Sequence, residues 1–376
     1  MLSRGVLHSV LIRVVFRNCC LFGETMSAQS GLWSCRAQPA TLFVLVFLWG
    51  IASPGGQETR YFRIGAAATS GTFFEIGEVI ASAISKSAGS PPCEHGGNCG
   101  VPGLIAVTQA TQGSVENLRM VAAGQIESGI AQSDVAGWAY AGTGIFSAHG
   151  PMKDLRAIAS LFSESLQLVV PADSPVRTVF DLKGKHISLG QMGSGTLADA
   201  RIVLAVAGLT EKDIAAEYLR PSISAAKIID GSLDGFFLIG GAPVPAIYEL
   251  ASKLPIRLIP IGDDVLGKMQ QNSSLYRRSV VPAGTYPGVN LKTSSIGFNA
   301  LWIVSADASD DLIHDITKAL WNEATHRLLG AHAIGKQVRL NNALEGLSVP
   351  LHPGAARFYR EAGLPVDDEG VLGKRD

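Results

Sequence analysis

The chain has almost no excess of either charge: lysine and arginine number 31 against 32 aspartates and glutamates in 376 residues. It therefore lacks the basic footprint that neutralises a phosphate backbone, and nucleic acid is not an expected partner. It also lacks the local signatures of common chemistries. There is no G-x-S-x-G elbow, so the α/β-hydrolase reading has no nucleophile. No H-E-x-x-H, Walker loop or calcium loop occurs, which removes the usual zinc, nucleotide and calcium sites. The eight histidines are scattered. His326 and His332 fall on different faces of a helical stretch, and His314 sits at a polar helix start. No catalytic residue, metal site or cofactor is expected. Beyond Ala52 no apolar run reaches the ~20 residues that a spanning helix needs.

What is present suits two globular domains, with 47% hydrophobic and 17% charged residues able to bury substantial cores. The first 52 residues differ in kind. "TLFVLVFLWGIASPGG" is a short apolar run preceded by Arg36, with Gly50 and Ala52 placed for cleavage after Ala52. Residues 1–52 are read as a secretory signal peptide, with Met26 as an alternative start and an uncleaved anchor as the competing account. The mature chain is then expected in the periplasm. Of five cysteines, Cys19, Cys20 and Cys35 lie in that segment, leaving Cys93 and Cys99 around "EHGGN". A disulfide closing this loop is favoured over a metal site of Cys93, His95 and Cys99, which has no visible fourth ligand.

The tripeptide Ser-Gly-Thr occurs twice, in "FRIGAAATSGTFFEIGEVIASAI" and "HISLGQMGSGTLADARIVLAVAGL". In each, an apolar strand pattern gives way to a glycine-bearing loop and then an amphipathic helix. More of the surroundings repeat. "ENLRMVAAGQIESGIAQSDV" and "SAAKIIDGSLDGFFLIGGAPV" both close a helical pattern on Gly (Gly124, Gly231), then place an aliphatic, an acid (Glu127, Asp234) and a buried strand. The first unit is 17 residues longer between these points, and "SAGSPPCEHGGNCGVPG" holds the surplus. Two units of strand, helix, strand, helix, strand imply open parallel sheets with crossover helices, whose ligands sit at the carboxyl ends of strands. Helix N-termini there present unpaired N–H groups and a positive dipole end to an anion.

One rival uses the second loop alone. Gly193, Gly195 and Ala198 satisfy G-x-G-x-x-A after a strand, with Glu217 near where a ribose acid would be sought, as in a dinucleotide-binding oxidoreductase. The first loop lacks that fingerprint.

Five dispersed stretches, "TQGSVENLRMVAAGQIESGIAQSDVAGWAYAGTG", "LRAIASLFSESLQLVV", "DLKGKHISLGQMGSGT", "PAGTYPG" and "NALEGLSVPLHPGAARFYREAGL", together resemble the TAXI family, the extracytoplasmic solute receptors of one class of TRAP transporters. The resemblance runs from about Tyr61 to Leu364. It implies a two-lobed type II periplasmic-binding-protein fold that captures a small solute, performs no chemistry on it, and passes it to TRAP membrane subunits. Glutamate, glutamine and 2-oxoglutarate are the solutes associated with relatives. This chain departs from the family pattern at Ser70, at Phe73 and Phe74 where tyrosines are common, and at Gln112. A stand-alone extracytoplasmic sensor is the related alternative.

The expected architecture is α/β, each lobe a mostly parallel sheet flanked by helices with the ligand cleft between. Lobe I is residues 59–162 plus 292–376, and lobe II is residues 163–291. The chain would cross near "LFSESLQLVV" and "TSSIGFNALWIVS" to make a hinge. The candidate ligand-binding residues are Ser70, Gly71, Thr72 and Phe73 of the first loop and Gly193, Ser194, Gly195 and Thr196 of the second, with Ser114 opening the "SVENL" helix. Gln132, Ser133 and Asp134 end one strand, and Gly240 and Gly241 end its counterpart. An acid at Asp134 either holds a ligand ammonium or caps a helix. A small carboxylate is the expected ligand, held by both Ser-Gly-Thr loops. Trp138, Trp302, Trp321, His352 and Tyr359 are assigned structural places.

Overall fold

The computed structural model describes residues 59–366 apart from 96–97 and 272–274. The expected signal segment, Met26 and the first three cysteines lie outside the described residues. The described chain begins with β1 (Arg60–Gly65), α1 (Thr72–Ile84), the short β2 (Ser85–Lys86) and β3 (Val101–Pro102), and β4 (Leu104–Gln109). It continues through α2 (Ser114–Ala122), β5 (Ser128–Gln132), α3 (Ser133–Ala141) and the long β6 (Leu155–Pro171). Next come β7 (His186–Ser188), α4 (Gly195–Val206), β8 (Ala215–Glu217), α5 (Pro221–Ile229), β9 (Gly235–Gly240) and α6 (Pro245–Lys253). After β10 (Ile256–Ile259), α7 (Asp263–Gln270) and β11 (Arg277–Val281), the long β12 (Thr293–Ser305) leads to α8 (Asp310–Leu320), α9 (Glu323–Gly330) and α10 (Pro353–Glu361). None of the described helices is long and apolar enough to cross a membrane.

The helices form where apolar residues recur at helical spacing. In α1, Phe73, Ile76, Ile80 and Ile84 make one buried stripe. The strands carry continuous apolar runs because helices cover them: β5 and β9 are buried at every residue.

The twice-repeated pattern folds twice the same way. β1 lies between β4 and β5, parallel to both, and β7 lies between β8 and β9, parallel to both. Each trio is then joined by an antiparallel neighbour, β12 on β5 and β6 on β9. The expected parallel character therefore holds for the trios. The whole is mixed, because the two crossing strands run against them. Even a side-chain detail repeats. Glu127 accepts the Arg63 N–H of β1 at 2.8 Å, and Asp234, its counterpart, accepts the His186 N–H of β7 at 2.8 Å. The acid after the turn pins the neighbouring strand in both units.

β6 and β12 make one sheet of the two halves. Leu155 to Phe162 pack in a first core with β1, β4, β5 and helices α1, α2, α3, α8 and α10. Leu166 to Val170 pack in the second cores, with β7, β9 and β10 and helices α4 to α7. β12 divides likewise, Ile296 and Phe298 in the second core and Ala300 to Val304 in the first. Where the two strands pass between cores, Ser163 faces Asn299, Glu164 faces Phe298 and Ser165 faces Gly297.

The surplus of the first unit is the loop from β2 to β3, in which Cys93 and Cys99 form a disulfide. Asn98 Nδ2 bonds the Ser82 carbonyl of α1 at 2.9 Å, tying the loop to the core.

The "SVENL" motif supplies a buried clamp. Asn117 of α2 is fully buried, and its Nδ2 donates to the carbonyls of Gly65 (3.1 Å), Ala66 (2.6 Å) and Ile130 (2.8 Å), while Oδ1 accepts from Thr111 Oγ1 (2.7 Å). A methyl on Gly65 would lie 2.8 Å from Asn117 Oδ1, and one on Gly129 2.9 Å from its Cβ, so both strands keep glycine there. Asn117→Ala should lower the free energy of unfolding by about 3 kcal/mol, since a buried group left without its partner costs about 1–3 kcal/mol. Asn117→Asp should cost more, because it sets an acceptor against three carbonyls. Urea unfolding midpoints test both; equal midpoints for wild type and either variant would contradict the clamp.

Candidate functional site

The carboxyl ends of β1, β4, β5, β7, β8 and β9 converge on one cleft, of about 570 Å³ with its mouth included. The first core contributes Ala67, Ala68, Gly71, Thr72 and Phe73 ahead of α1, Gln112, Gly113 and Ser114 ahead of α2, and Gln132 at the end of β5. The second contributes Gly190, Gln191, Ser194, Gly195 and Thr196 ahead of α4, Leu219, Pro221 and Ser224 ahead of α5, and Phe237, Leu238 and Ile239 of β9. Glu164, on the crossing strand β6, completes the lining. The N-termini of α1, α2 and α4 thus point inward from opposite walls, each with donors and positive dipole ends.

Ser194 caps α4, its Oγ accepting the Leu197 N–H at 3.1 Å. Thr196 Oγ1 accepts the Ile239 N–H of β9 at 3.1 Å, within its own half. Thr72 reaches instead to the other half and accepts the Gly241 N–H at 3.2 Å. The Ser194 hydroxyl spends its hydrogen on the Gln191 carbonyl at 2.7 Å, whereas the Thr72 and Thr196 hydroxyls keep theirs to give to a ligand. Other bonds cross the cleft as well. Ala246 N donates to the Ser70 carbonyl (3.3 Å), Glu116 N to the Gly193 carbonyl (3.2 Å), and Gln191 Nε2 to the Gln112 carbonyl (2.6 Å). The halves are closed on one another around the cleft.

Gly195 shows how tight this closure is. A Cβ there would lie 1.6 Å from Gln132 Oε1, whose amide is held by Ser114 Oγ at 3.3 Å and by Asp199 Oδ2 at 3.3 Å. A side chain at Gly195 would have to displace the Gln132 amide from its place against the start of α4. Gly193 adopts φ +83° and its carbonyl accepts the Glu116 N–H, which ties the second loop across the cleft.

Of the residues singled out from the sequence, Gly71, Thr72, Phe73, Ser114, Gln132, Ser194, Gly195 and Thr196 come together as cleft lining. Ser70, Gly193, Gly240 and Gly241 lie just behind it, in the closure contacts. The Ser70 Oγ is buried without a partner, and a Cβ on Gly240 would sit 3.0 Å from Thr72 Oγ1. Ser133 and Asp134 are elsewhere: Ser133 Oγ accepts the Asn299 N–H at 3.1 Å, and Asp134 is fully buried in the first turn of α3. Glu164, Gln191, Gln112 and Phe237 were not read from the sequence. A signal for Glu164 existed, since the "SES" of "LFSESLQLVV" interrupts an otherwise apolar strand.

A model of the NMT1-like family matches residues 64–363, across both halves and every lining residue. The chain belongs to the NMT1-like family. Solved structures similar to this family member include the periplasmic aliphatic sulphonate binding protein SsuA from Escherichia coli, at 18% identity over 80% of this chain and 78% of that one, TM-score 0.38. Another is the alkanesulfonate-binding protein SsuA from Xanthomonas axonopodis pv. citri bound to MOPS, at 19% identity, 82% and 81% coverage and TM-score 0.42. A third is an ABC uptake transporter substrate binding protein from Streptococcus pneumoniae with bound histidine, at 15% identity, 74% and 94% coverage and TM-score 0.43. At those scores no residue role passes from them to this chain.

Behind Gln132, the family member buries two acids from opposite halves. Asp134 of α3 and Asp199 of α4 are both fully buried. Asp199 accepts from Gln132 Nε2 (3.3 Å) and from the Tyr276 hydroxyl (3.4 Å), and Asp134 pairs with Asp199 and with backbone N–H groups of its own helix turn. Burial pushes the Asp134 carboxyl up to about 6, and burial with the adjacent Asp134 charge pushes Asp199 well above the usual range. The folded protein therefore holds protons that the unfolded chain, with aspartates near 3.9, has already lost. This contribution is fully present below about pH 4 and fades as pH rises through 6 and beyond. The melting temperature should fall from pH 5 to pH 8. Asp199→Asn, which replaces the shared proton by a permanent amide donor, should raise it at pH 8 by a few degrees and flatten the fall. Scanning calorimetry across that range checks this; a steeper fall in the variant would refute the shared proton.

Proposed function

We propose that this protein is an extracytoplasmic solute receptor of the TAXI type, with no chemistry of its own and no cofactor. It closes two lobes, residues 59–162 with 292–376 and residues 163–291, around a small carboxylate and presents it to TRAP transporter membrane subunits. The observation that carries the reading is the closed cleft with helix N-termini on both walls, α1 and α2 from one half and α4 from the other. Each such terminus is worth up to about 2 kcal/mol to a partly buried anion, and micromolar affinity needs about 8 kcal/mol in all. Hydrogen bonds from the Thr72 and Thr196 hydroxyls and the closure of the cleft would supply the remainder. Nothing in the lining offers the paired acid and base or the nucleophile with its base that turnover requires. The paired strands β6 and β12, along which the described chain passes from one lobe to the other and back, suit a hinge. Export would follow from the apolar run ending at Ala52.

A thermal-shift screen with glutamate, glutamine, 2-oxoglutarate, succinate and malate against sugars and polyamines tests the ligand class. A carboxylate at 100 times its Kd should stabilise the protein by roughly 2.7 kcal/mol. Thr72→Ala should weaken binding about 10- to 100-fold, because it removes a cleft hydroxyl and the acceptor for Gly241 of the other lobe. Thr196→Ala should weaken it less per bond lost to closure, since its N–H partner lies in its own lobe. Shifts by sugars or polyamines alone, or unchanged affinity in both variants, would overturn the proposal.

A further inference from the structure

Among the described residues, the cleft lining contains one ionisable side chain, Glu164, and no lysine or arginine. This is an odd composition for a site that takes only negative charge. Glu164 is 1% exposed, and its Oε2 is wholly buried with no hydrogen-bond donor among the described residues. It stands on β6 at the passage between the cores, opposite Phe298, where both neighbouring positions are serines. A second acceptor in the lining is unmatched too. Gln191 Nε2 is committed to the Gln112 carbonyl at 2.6 Å, which fixes the amide orientation and leaves Oε1 buried without a donor. Unmatched buried acceptors are costly, and they call for hydrogen-bond donors from whatever fills the cavity.

Resting on the reading of the cleft as a carboxylate-binding site, we infer that Glu164 is the specificity residue for a second group on the solute, a primary ammonium. The solute would then be an amino acid, its carboxylate at the helix N-termini and its ammonium on Glu164, in preference to a dicarboxylate without nitrogen. Charge supports the same assignment. The acid acting on Glu164 is Asp134 from α3, backed by Asp199 of α4 and the Tyr276 hydroxyl. Burial and the Asp134 charge push the empty-site carboxyl well above the usual glutamate range, so it carries a proton there. An arriving ammonium favours the ionised form, and that proton leaves to solvent as the ion pair forms. Binding of an amino acid therefore releases a proton from Glu164, and affinity rises with pH until the empty-site carboxyl itself ionises. A nitrogen-free acid gains nothing from this and would face an unpaired carboxyl.

The test is calorimetric titration of the purified protein with matched pairs that differ in the ammonium: glutamate with 2-oxoglutarate and with glutarate, and aspartate with succinate. Repeating each in two buffers of different ionisation heat counts protons. The amino acid should bind roughly 100-fold tighter than its partner, with close to one proton released. Glu164→Gln should bring both members of a pair within about threefold of each other and remove the proton release, and its retained binding of either member shows it folded. Equal or tighter binding of the nitrogen-free acids by the wild type overturns the Glu164 assignment while leaving the carboxylate reading in place. So does a preference for amino acids that survives Glu164→Gln. Binding of neither series overturns the carboxylate reading and this assignment with it.

Discussion

Everything in this molecule is organised by the antiparallel pairing of β6 with β12. Each strand is far longer than the five or six residues usual in a sheet, because each serves two cores in succession. Along β6 the apolar residues belong to one core up to Phe162 and to another from Leu166. The residues between are serine, glutamate and serine, opposite asparagine, phenylalanine and glycine. On β6 this polar triplet marks the passage from one core to the other, with Glu164 and Ser165 buried and Ser163 exposed. The cleft opens there because the hydrophobic demand of the strands lapses for three residues, and the carboxyl ends of both parallel trios face that gap.

Much of this was readable because the chain says it twice. The two Ser-Gly-Thr loops, the glycine that stops each second helix, and the acid that follows all mark equivalent places in the two trios. The acids proved to be strand clamps, Glu127 on Arg63 and Asp234 on His186. What could not be read were relations between the copies. Thr72 and Thr196 are the same residue in the same motif, yet one bonds its own half and the other crosses to Gly241. Nothing local distinguishes them, since the difference arises from how the halves face each other.

Asp134 and Glu164 illustrate the same limit in charge. A strand-end acid is a natural reading for ligand contact, and Asp134 fits that pattern. Its position on the first turn of α3 turns it away from the lining and toward Asp199 of the opposite half. Glu164 lies in mid-strand, where the polar SES triplet marks an interruption of the apolar run without saying what the acid faces. Both acids are buried, and both are explained only by which elements the crossing strands bring together. The Gly195 contact belongs to this class too, because a glycine with ordinary backbone angles gives no sign in the sequence that a glutamine amide from the other half occupies the space of its missing side chain.

The same strand pair imposes an order on the chain's completion. β5 is joined on one edge by β1 and on the other only by β12, and the Trp302 indole N–H bonds Ser128 across 174 positions of sequence. The Tyr359 hydroxyl closes onto the Ile158 carbonyl across 201. The trio of the second half, by contrast, finds its antiparallel neighbour in β6, which precedes it directly. During synthesis the first-made strands therefore wait longest, with the outer edge of β5 bare until residues 293–305 are available, and a bare edge is a template for the wrong partner. High contact order is concentrated in the half that leaves the ribosome first.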